Sequence, residues 1–314
     1  MSVFTTVTKE QLRTWIASYP LGDLLDLQGI ASGITNTNYF VTTTSGRYVL
    51  TLFEKNSPDE LPYFLDLMRH LAERGIPCPH PVAMQDGMML GELNGKPAAL
   101  VSCLKGRDIE SPSPAQCAEV GRVLANMHIA GQSFKGEGKN ARDNDWRLAT
   151  ANSVIGFLNA EDRAMLESEL AFEASSNHDS LDTGVIHADL FKDNVLFDGD
   201  HIGGLIDFYY ACEGAFLYDV AIAANDWCVK EDGSFDMARL QAMLEAYDAV
   251  RPFTEAEHAA WSSILRKAAT RFWLSRLYDK YFPQEGELTH AKDPDHFRNI
   301  LSLRIKDSQQ MMAI

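Results

Sequence analysis

The spacing of apolar residues changes about a third of the way along the chain. Before that point, short runs of β-branched and aromatic residues occur, as in "YFVTTT" (39–44) and "RYVLTLF" (47–53). These runs predict two strands, and the serine–glycine pair between them predicts the turn of a hairpin. The run "GKPAALVSCL" (95–104) predicts a buried strand, and apolar residues at helical spacing predict one main helix within residues 57–75.

Helical spacing dominates the rest of the chain. We predict helices over residues 113–134, 146–175, 216–231, 235–249, 254–282 and 293–312. The polar, proline-containing segment "KGRDIESPSP" separates the two regions and predicts a boundary there. The expected fold is therefore α+β and bilobal, with a small antiparallel sheet and one main helix in residues 1–104 and a larger, mostly helical lobe in residues 105–314. A ligand is expected in the crevice between two such lobes.

Composition narrows the class of protein. The formal net charge of −16 disfavours binding to nucleic acid or to anionic membranes. No apolar run approaches the ~20 residues of a membrane span, and the N-terminus lacks the order of a signal peptide. The five cysteines are scattered singly, which argues against a disulfide framework and a structural zinc site. We therefore expect a cytoplasmic protein with reduced thiols.

The segment "VIHADLFKDNVLF" (185–197) contains the most informative polar residues. His187, Asp189 and Asn194 follow H-x-D-x-x-x-x-N spacing, and "GLIDF" then supplies Asp207 at the end of an apolar run. A kinase catalytic loop needs this layout: one carboxylate orients or deprotonates the attacking hydroxyl, and an amide oxygen and a second carboxylate hold Mg²⁺. The alternative is a pair of solvated loops rich in Asp and Asn, with His187 in the core. The two motifs together favour the kinase interpretation.

These two motifs resemble the catalytic loop of the aminoglycoside phosphotransferase and choline kinase-like superfamily, which has a bilobal protein-kinase-like fold. The resemblance implies that Asp189 is the catalytic base or the group that orients the hydroxyl. It also implies that Asn194 and Asp207 bind Mg²⁺ and that His187 is a structural residue of the loop. In "YDVA", Asp219 is expected to brace the catalytic loop.

The segment "GIASGITNTNYFV" (29–41) lies where this superfamily places the loop over ATP. Gly29 and Gly33 allow backbone amides to approach a phosphate. Ser32, Thr35 and Asn36 add possible side-chain donors. An ordinary turn is the alternative for this segment taken alone, since it is not a G-x-G-x-x-G motif.

The strand "YVLTLFEK" departs from the kinase pattern. Kinase-like lobes carry a lysine on the third strand that binds the α- and β-phosphates, but here the corresponding residue is Thr51. Lys55 and Arg47 are nearby cations, and the sequence leaves open which of them contacts the phosphates. The same resemblance implies that the backbone of Ser102 to Leu104 hydrogen-bonds adenine.

Over nearly the whole chain, the sequence is similar to those of the type II homoserine kinases of that superfamily. The matching segments are "SGITNTNYFV", "YVLTLFE", "HADLFKDNVLF", "IDFYYAC", "NDWC" and "RFWLSRLYD". This resemblance implies phosphorylation of the side-chain hydroxyl of L-homoserine with ATP and Mg²⁺, a step toward threonine.

Three questions about function stay open at the level of the sequence. Arg271 is a candidate to bind the carboxylate of homoserine, and a surface arginine covering apolar residues is the alternative for it. A kinase of another small alcohol, of an aminoglycoside or of a protein serine fits the same motifs. The threonine at position 51 also raises the possibility of a nucleotide-binding, pseudokinase-like regulatory module.

Overall fold

The first part of the chain is a five-stranded antiparallel sheet. The computed structural model describes residues 4–30, 36–283 and 292–312, with side chains as far as Ser308. The strand order is β1-β2-β3-β5-β4. The strands are β1 (Leu24–Gly29), β2 (Thr37–Thr43), β3 (Gly46–Leu52), β4 (Gly91–Leu93) and β5 (Lys96–Ser102).

The hairpin of β2 and β3 confirms the strand prediction. Thr43 pairs with Gly46 at the turn, and Gly46 has a φ of 145°, which favours glycine. Alternate residues of β2 are buried, including Val41, because one face of the sheet covers a core. Helix α1 (Lys9–Ile16) lies over that face and contributes Leu12 to the core.

Helix α2 (Leu61–Ala72) packs mainly against the second, larger core rather than against the sheet core. It begins four residues after the start of the predicted range, with Pro62 in its first turn, and Ser57 lies before the helix, where its amide and hydroxyl donate to the Glu60 carboxylate. Gly75, with a φ of 81°, lies just beyond its end.

The second part of the chain is mostly helical, as predicted. Its helices are α3 (Pro114–Gly131), α4 (Asn144–Val154), α5 (Ala160–Ser175), α6 (Phe216–Trp227), α7 (Met237–Asp248), α8 (Glu255–Tyr281) and α9 (Pro294–Met312). The helix predicted over 146–175 is two helices, because Asn159 caps a new one by accepting a hydrogen bond from the amide of Asp162. None of the helices described is both long and apolar enough to cross a membrane.

Two short two-stranded antiparallel sheets interrupt these helices and carry the polar segment noted above. The pair β6 (Thr183–Ile186) and β9 (Cys212–Ala215) brackets the pair β7 (Val195–Asp198) and β8 (His201–Leu205). The segment between β6 and β7 (residues 187–194) and the segment between β8 and β9 (residues 206–211) therefore lie next to each other. The lobe boundary after residue 104 stays a prediction: β5 ends at 102 and α3 begins at 114.

The contact between α3 and α7 generates a stability prediction. A Cβ at Gly121 would collide with the backbone carbonyl of Met243, whereas a Cβ at Gly156 would meet open space. We expect Gly121→Ala to lower the free energy of unfolding by about 1–3 kcal/mol, because the two helices must move apart. Gly156→Ala, measured by the same urea titration, is the matched control and should change it by under ~1 kcal/mol. Equal values for the two variants would contradict this account of the packing.

Candidate active site

The loop from His187 to Asn194 is fixed at its start by a buried carboxylate. Asp219, in the first turn of α6, accepts hydrogen bonds from the amide of His187 at 2.7 Å and from the amide of Ala188 at 2.8 Å. Ala188 has a φ of 61°, a left-handed conformation that a residue with a Cβ rarely adopts. The two hydrogen bonds hold this conformation, so Asp219 sets the direction in which the loop leaves β6.

Asp219 is ionised in this environment. Burial alone raises its pKa, but the hydrogen bond and charge of His128 and the contacts with His187 outweigh burial, and the pKa lies below its ordinary value. His128 donates from Nε2 to Asp219 at 3.1 Å and accepts at Nδ1 from the Tyr247 hydroxyl at 2.7 Å. That pattern requires a neutral imidazole, and burial lowers the pKa of His128 accordingly.

His187 has the structural position that the sequence predicted for it. Its Nε2 donates to the carbonyl oxygen of Ile206 at 2.9 Å, and its buried Nδ1 has no partner among the described residues. Burial lowers the pKa of this imidazole, so it is neutral. His187 therefore joins the start of this loop to the residue before Asp207.

Asn194 closes the loop onto Asp189. Its Nδ2 donates to the main-chain oxygen of Asp189 at 2.8 Å and lies 3.3 Å from the carboxylate Oδ2. The amide of Ile206 donates to the main-chain oxygen of Asn194 at 2.9 Å, which connects this loop to the residue before Asp207. Because Nδ2 is used inside the loop, Oδ1 is the polar atom of Asn194 that remains for a ligand.

Asp189 and Asp207 lie close enough for their charges to interact. Burial raises the pKa of Asp189 to about 6, although Arg271 opposes this effect. Asp207 keeps contact with solvent, but loss of water around it raises its pKa to about 6, and the charge of Asp189 contributes. Asp207 also has a φ of 63°, a left-handed conformation that Asp tolerates. The two carboxylates predicted to act together are therefore in one site.

This donor set fits a divalent metal ion. Both carboxylates have raised pKa values, with the charge of Asp189 contributing to the rise at Asp207, and together with the nearby amide oxygen of Asn194 they offer hard oxygen ligands. Across the described ranges, no three His, Cys, Asp or Glu side chains form a self-sufficient metal site. A metal here would also need oxygens from a second ligand, as in sites where substrate phosphates complete the coordination.

Arg271 reaches this site from α8. Its Nη1 lies 3.5 Å from Oδ1 of Asp189, and only 4% of its side chain is exposed. The guanidinium stacks on Phe272, with Cζ 3.7 Å from the ring centroid, and also faces Tyr210. Arg271 is thus beside Asp189 and is not an arginine lying along the surface.

The segment predicted to cover ATP is described only at its ends. Gly29 is the last residue of β1 and pairs with Tyr39, so it belongs to the strand. Asn36 is buried, and its Oδ1 accepts from the amide of Glu54 at 3.3 Å. Ser32, Gly33 and Thr35 lie outside the described residues.

Thr51 occupies the third-strand position where kinase-like lobes carry lysine. Its hydroxyl donates to Oδ1 of Asn38 at 2.8 Å on the neighbouring strand. Arg47 lies at the opposite end of β3, where its guanidinium stacks over Phe40 at 4.0 Å. Arg47 therefore does not replace the missing lysine.

Sequence reasoning missed Lys96, the first residue of β5. Its Nζ lies 3.1 Å from Oε2 of Glu54 and donates to the Glu54 carbonyl at 3.3 Å. Thr37 also donates to Glu54 at 2.7 Å. This ion pair lies at the end of the sheet where β1 ends and β2 begins, and the signal for it in the sequence is a lysine at the start of a buried strand.

The predicted adenine-binding strand is partly committed to internal hydrogen bonds. The amide of Ser102 donates to the carbonyl oxygen of His80 at 2.9 Å, and the Ser102 hydroxyl accepts from the amide of His80 at 2.9 Å. Leu104 follows the strand and packs against Gly204 in β8. For the Ser102 amide to contact adenine, its hydrogen bond to His80 would have to open. Leu104 lies two residues beyond the end of β5, outside the ladder of strand hydrogen bonds.

Comparisons with known proteins agree with this geometry. The sequence profile of the phosphotransferase enzyme family matches residues 26–253. A homoserine kinase of Methylobacillus flagellatus is 63% identical over 314 residues, covering 100% of this chain and 98% of the relative. One of Methylobacillus glycogenes is 59% identical, with 100% and 99% covered.

A solved structure shows the same fold. The amicoumacin kinase hAmiN, in complex with AMP-PNP and Ca²⁺, superposes with a TM-score of 0.70 at 14% identity and covers 97% of this chain and 94% of its own. The predicted bilobal, protein-kinase-like α+β fold is confirmed.

The raised pKa of Asp189 generates a prediction about stability. A carboxyl whose pKa is about 6 when folded and near 3.8 when unfolded destabilises the fold as the pH rises through this interval. We therefore expect the unfolding free energy of Asp189→Asn, taken relative to that of the original protein at the same pH, to rise by about 2 kcal/mol from pH 4 to pH 8. Urea unfolding in EDTA, without nucleotide, measures this difference.

The same substitution at Asp193, a half-exposed residue of the same loop, controls for the loss of one negative charge. A difference that stays constant with pH, or that falls as the pH rises, would contradict the assignment of a raised pKa to Asp189.

Proposed function

The chain belongs to the phosphotransferase enzyme family, and on that premise we propose that it transfers the γ-phosphoryl group of ATP to the side-chain hydroxyl of L-homoserine. The observation that carries the proposal is 63% identity to a homoserine kinase along the whole chain. The convergence of Asp189, Asn194 and Asp207 in one site supports it from the chemistry. The products are O-phospho-L-homoserine and ADP.

In the proposed reaction, Asp189 orients the acceptor hydroxyl and takes its proton. The hydroxyl oxygen forms a bond to the γ-phosphorus as the bond from that phosphorus to the bridging oxygen breaks and ADP leaves. A carboxyl with a pKa of about 6 is mostly ionised at neutral pH and is still basic enough to accept a proton. The Asn194 amide keeps this carboxylate in place.

We assign Asn194 Oδ1 and Asp207 as ligands of Mg²⁺. When bound, this ion neutralises charge on the phosphates of ATP and aligns them for transfer. The charge of Asp189 contributes to the raised pKa of Asp207, and this like-charge repulsion supports a cation bound near the two carboxylates. Hard oxygen donors favour Mg²⁺ over zinc.

The remaining predicted contacts to ATP are part of the proposal. We divide the chain into a nucleotide-binding lobe, residues 1–104, and a catalytic and substrate-binding lobe, residues 105–314. Residues proposed to line the nucleotide are Gly29, Ser32, Gly33, Thr35, Asn36, Ser102 and Leu104. Lys96 lies at the same end of the sheet as Asn36 and is a candidate cation for the phosphates. We place the reaction in the cytoplasm, where ATP is supplied.

Neither alternative has comparable support. Structural neighbours that act on antibiotics, such as the amicoumacin kinase, share 14% identity with this chain, which reflects the fold alone. A pseudokinase-like module has no need for Asp189, Asn194 and Asp207 in one site. The threonine at position 51 is accommodated by its hydrogen bond to Asn38.

An acceptor panel tests the function. Purified protein with ATP and Mg²⁺ is offered L-homoserine, choline, an aminoglycoside or a serine peptide, and ADP release is measured by a coupled assay. We expect kcat/KM for homoserine to exceed that for the other acceptors by at least ~10²-fold, since polar groups of a site made for a zwitterion would be left unpaired by them. ATP binding without transfer to any acceptor would instead favour the regulatory module.

Variants of the two aspartates test their proposed roles. Asp189→Asn should lower kcat by roughly 10²–10⁴-fold, the usual effect of losing a general base, while ATP binding persists. Asp207→Ala should abolish Mg²⁺-dependent ATP binding, as measured by calorimetry. Asp193→Asn is the control, because this half-exposed carboxylate pairs with Lys292 at 2.6 Å. Normal turnover by Asp189→Asn would exclude the role proposed for Asp189.

A further inference from the structure

Arg142, in the connection between α3 and α4, is held in place by two aromatic rings. Its Cζ lies 4.6 Å from the ring centroid of Trp146 and 5.2 Å from that of Tyr210. Its Nη2 donates to the Tyr210 hydroxyl at 3.3 Å, and Nη1 donates to the adjacent carbonyl of Ala141. Its Nε is buried without a hydrogen-bond partner. The guanidinium is therefore positioned by ring contacts, and part of its hydrogen-bonding edge is unused.

The absence of an acidic partner distinguishes Arg142 from the buried arginines of the helical part. Those arginines form ion pairs with carboxylates: Arg147 with Glu173, Arg251 with Glu257, and Arg266 with Glu169. In the part of the chain that the structure describes, no carboxylate lies within ion-pair distance of Arg142. In a chain with a net charge of −16, such a half-buried cation is available for an anion supplied from outside.

The position of Arg142 links it to the candidate active site. Tyr210 comes three residues after Asp207, and the same ring faces Arg271, whose Cζ lies 5.4 Å from its centroid. Arg271 in turn lies 3.5 Å from the Asp189 carboxylate. Arg142, Tyr210 and Arg271 therefore form a continuous group, here called the two-arginine cluster, that ends at the proposed catalytic residue.

We propose that the two-arginine cluster binds the carboxylate of the amino-acid acceptor and that Arg142 supplies its second guanidinium. This inference rests on the proposed function. The reacting hydroxyl and the carboxylate of homoserine are separated by three carbon atoms, so an acceptor whose hydroxyl meets Asp189 places its carboxylate a short distance away. The planar fork of a guanidinium matches a carboxylate with two parallel hydrogen bonds.

The triphosphate of ATP is the competing anion, and the positions of these residues disfavour it. Arg142 and Arg271 come from the helical part of the chain, whereas the segment proposed to cover the phosphates follows β1, which ends at Gly29 in the sheet. The rings of Trp146 and Tyr210 also fix the Arg142 guanidinium before any ligand binds. Because the guanidinium is already positioned, little side-chain entropy is lost when the acceptor binds. An amino alcohol without a carboxylate would leave this cation unpaired and should bind less well.

The test compares two acceptors that differ only in the carboxylate. L-Homoserine and 3-aminopropan-1-ol carry the same hydroxyl and ammonium groups, but the second has no carboxylate. With Arg142→Met we expect kcat/KM for homoserine to fall about 10–100-fold, the effect of losing a hydrogen bond between charged groups. The value for 3-aminopropan-1-ol and the KM for ATP should change less than ~3-fold. Arg69→Met, at an exposed arginine paired with Asp66, is the matched control.

Two further variants separate binding from folding. Arg142→Lys keeps the charge and the aliphatic stem but loses the planar fork, so it should lose selectivity for homoserine while melting near the original temperature. Tyr210→Phe keeps the ring and removes the hydroxyl that accepts from Arg142 Nη2, and it should weaken homoserine use by a smaller factor.

An equal loss for both acceptors in Arg142→Lys, a raised KM for ATP, or no loss for either acceptor would each overturn the inference. Failure of the unmodified protein to phosphorylate homoserine would overturn the proposed function and the inference with it. Because that result is seen before any variant is made, the two failures are distinguishable.

Discussion

The candidate active site depends on the carboxylate of Asp219. It accepts hydrogen bonds from two successive backbone amides and from His128, and it is fully buried. A left-handed conformation at Ala188 costs about 1–2 kcal/mol, and the charge-assisted bonds to the ionised carboxylate offset this cost. Without these hydrogen bonds the left-handed conformation of Ala188 would be unfavourable, and the loop would not leave β6 in the direction that brings Asp189 to Asn194.

A second constraint joins the two halves of the site. The β7–β8 hairpin begins directly after Asn194 and ends two residues before Asp207, and Ile206 donates its amide to Asn194 across it. The hairpin therefore fixes the separation of the two proposed metal ligands. The same arrangement keeps two carboxylates near each other at a cost to the stability of the free protein, a common compromise where function requires like charges together.

Where kinase-like lobes carry a lysine on the third strand, this sheet carries Thr51. Thr51 donates to Asn38 within the sheet, so the position is filled by a small hydrogen-bonding side chain. A lysine–glutamate ion pair still exists at the loop end of the sheet, but Lys96 comes from β5 and Glu54 from the residues after β3. A cation at that end thus depends on the pairing of non-adjacent segments.

The sequence by itself determined the features that depend on neighbouring residues. The β2–β3 hairpin, most helices and the spacing of Asp189, Asn194 and Asp207 were predictable because period, turn residues and motif spacing are local properties. Local signals also misled: the apolar spacing over 146–175 continues through the Asn159 cap, so one helix was predicted where the structure has two.

Only the tertiary structure decided which distant residues meet. Arg142 and Tyr210 are 68 positions apart, and Lys96 and the Glu54 carbonyl are 42 apart. The commitment of the Ser102 amide to His80 likewise depends on the packing of a loop against β5. Such contacts leave no periodic trace in the sequence, because they are fixed by how strands and helices pack and by which buried polar groups must then find partners.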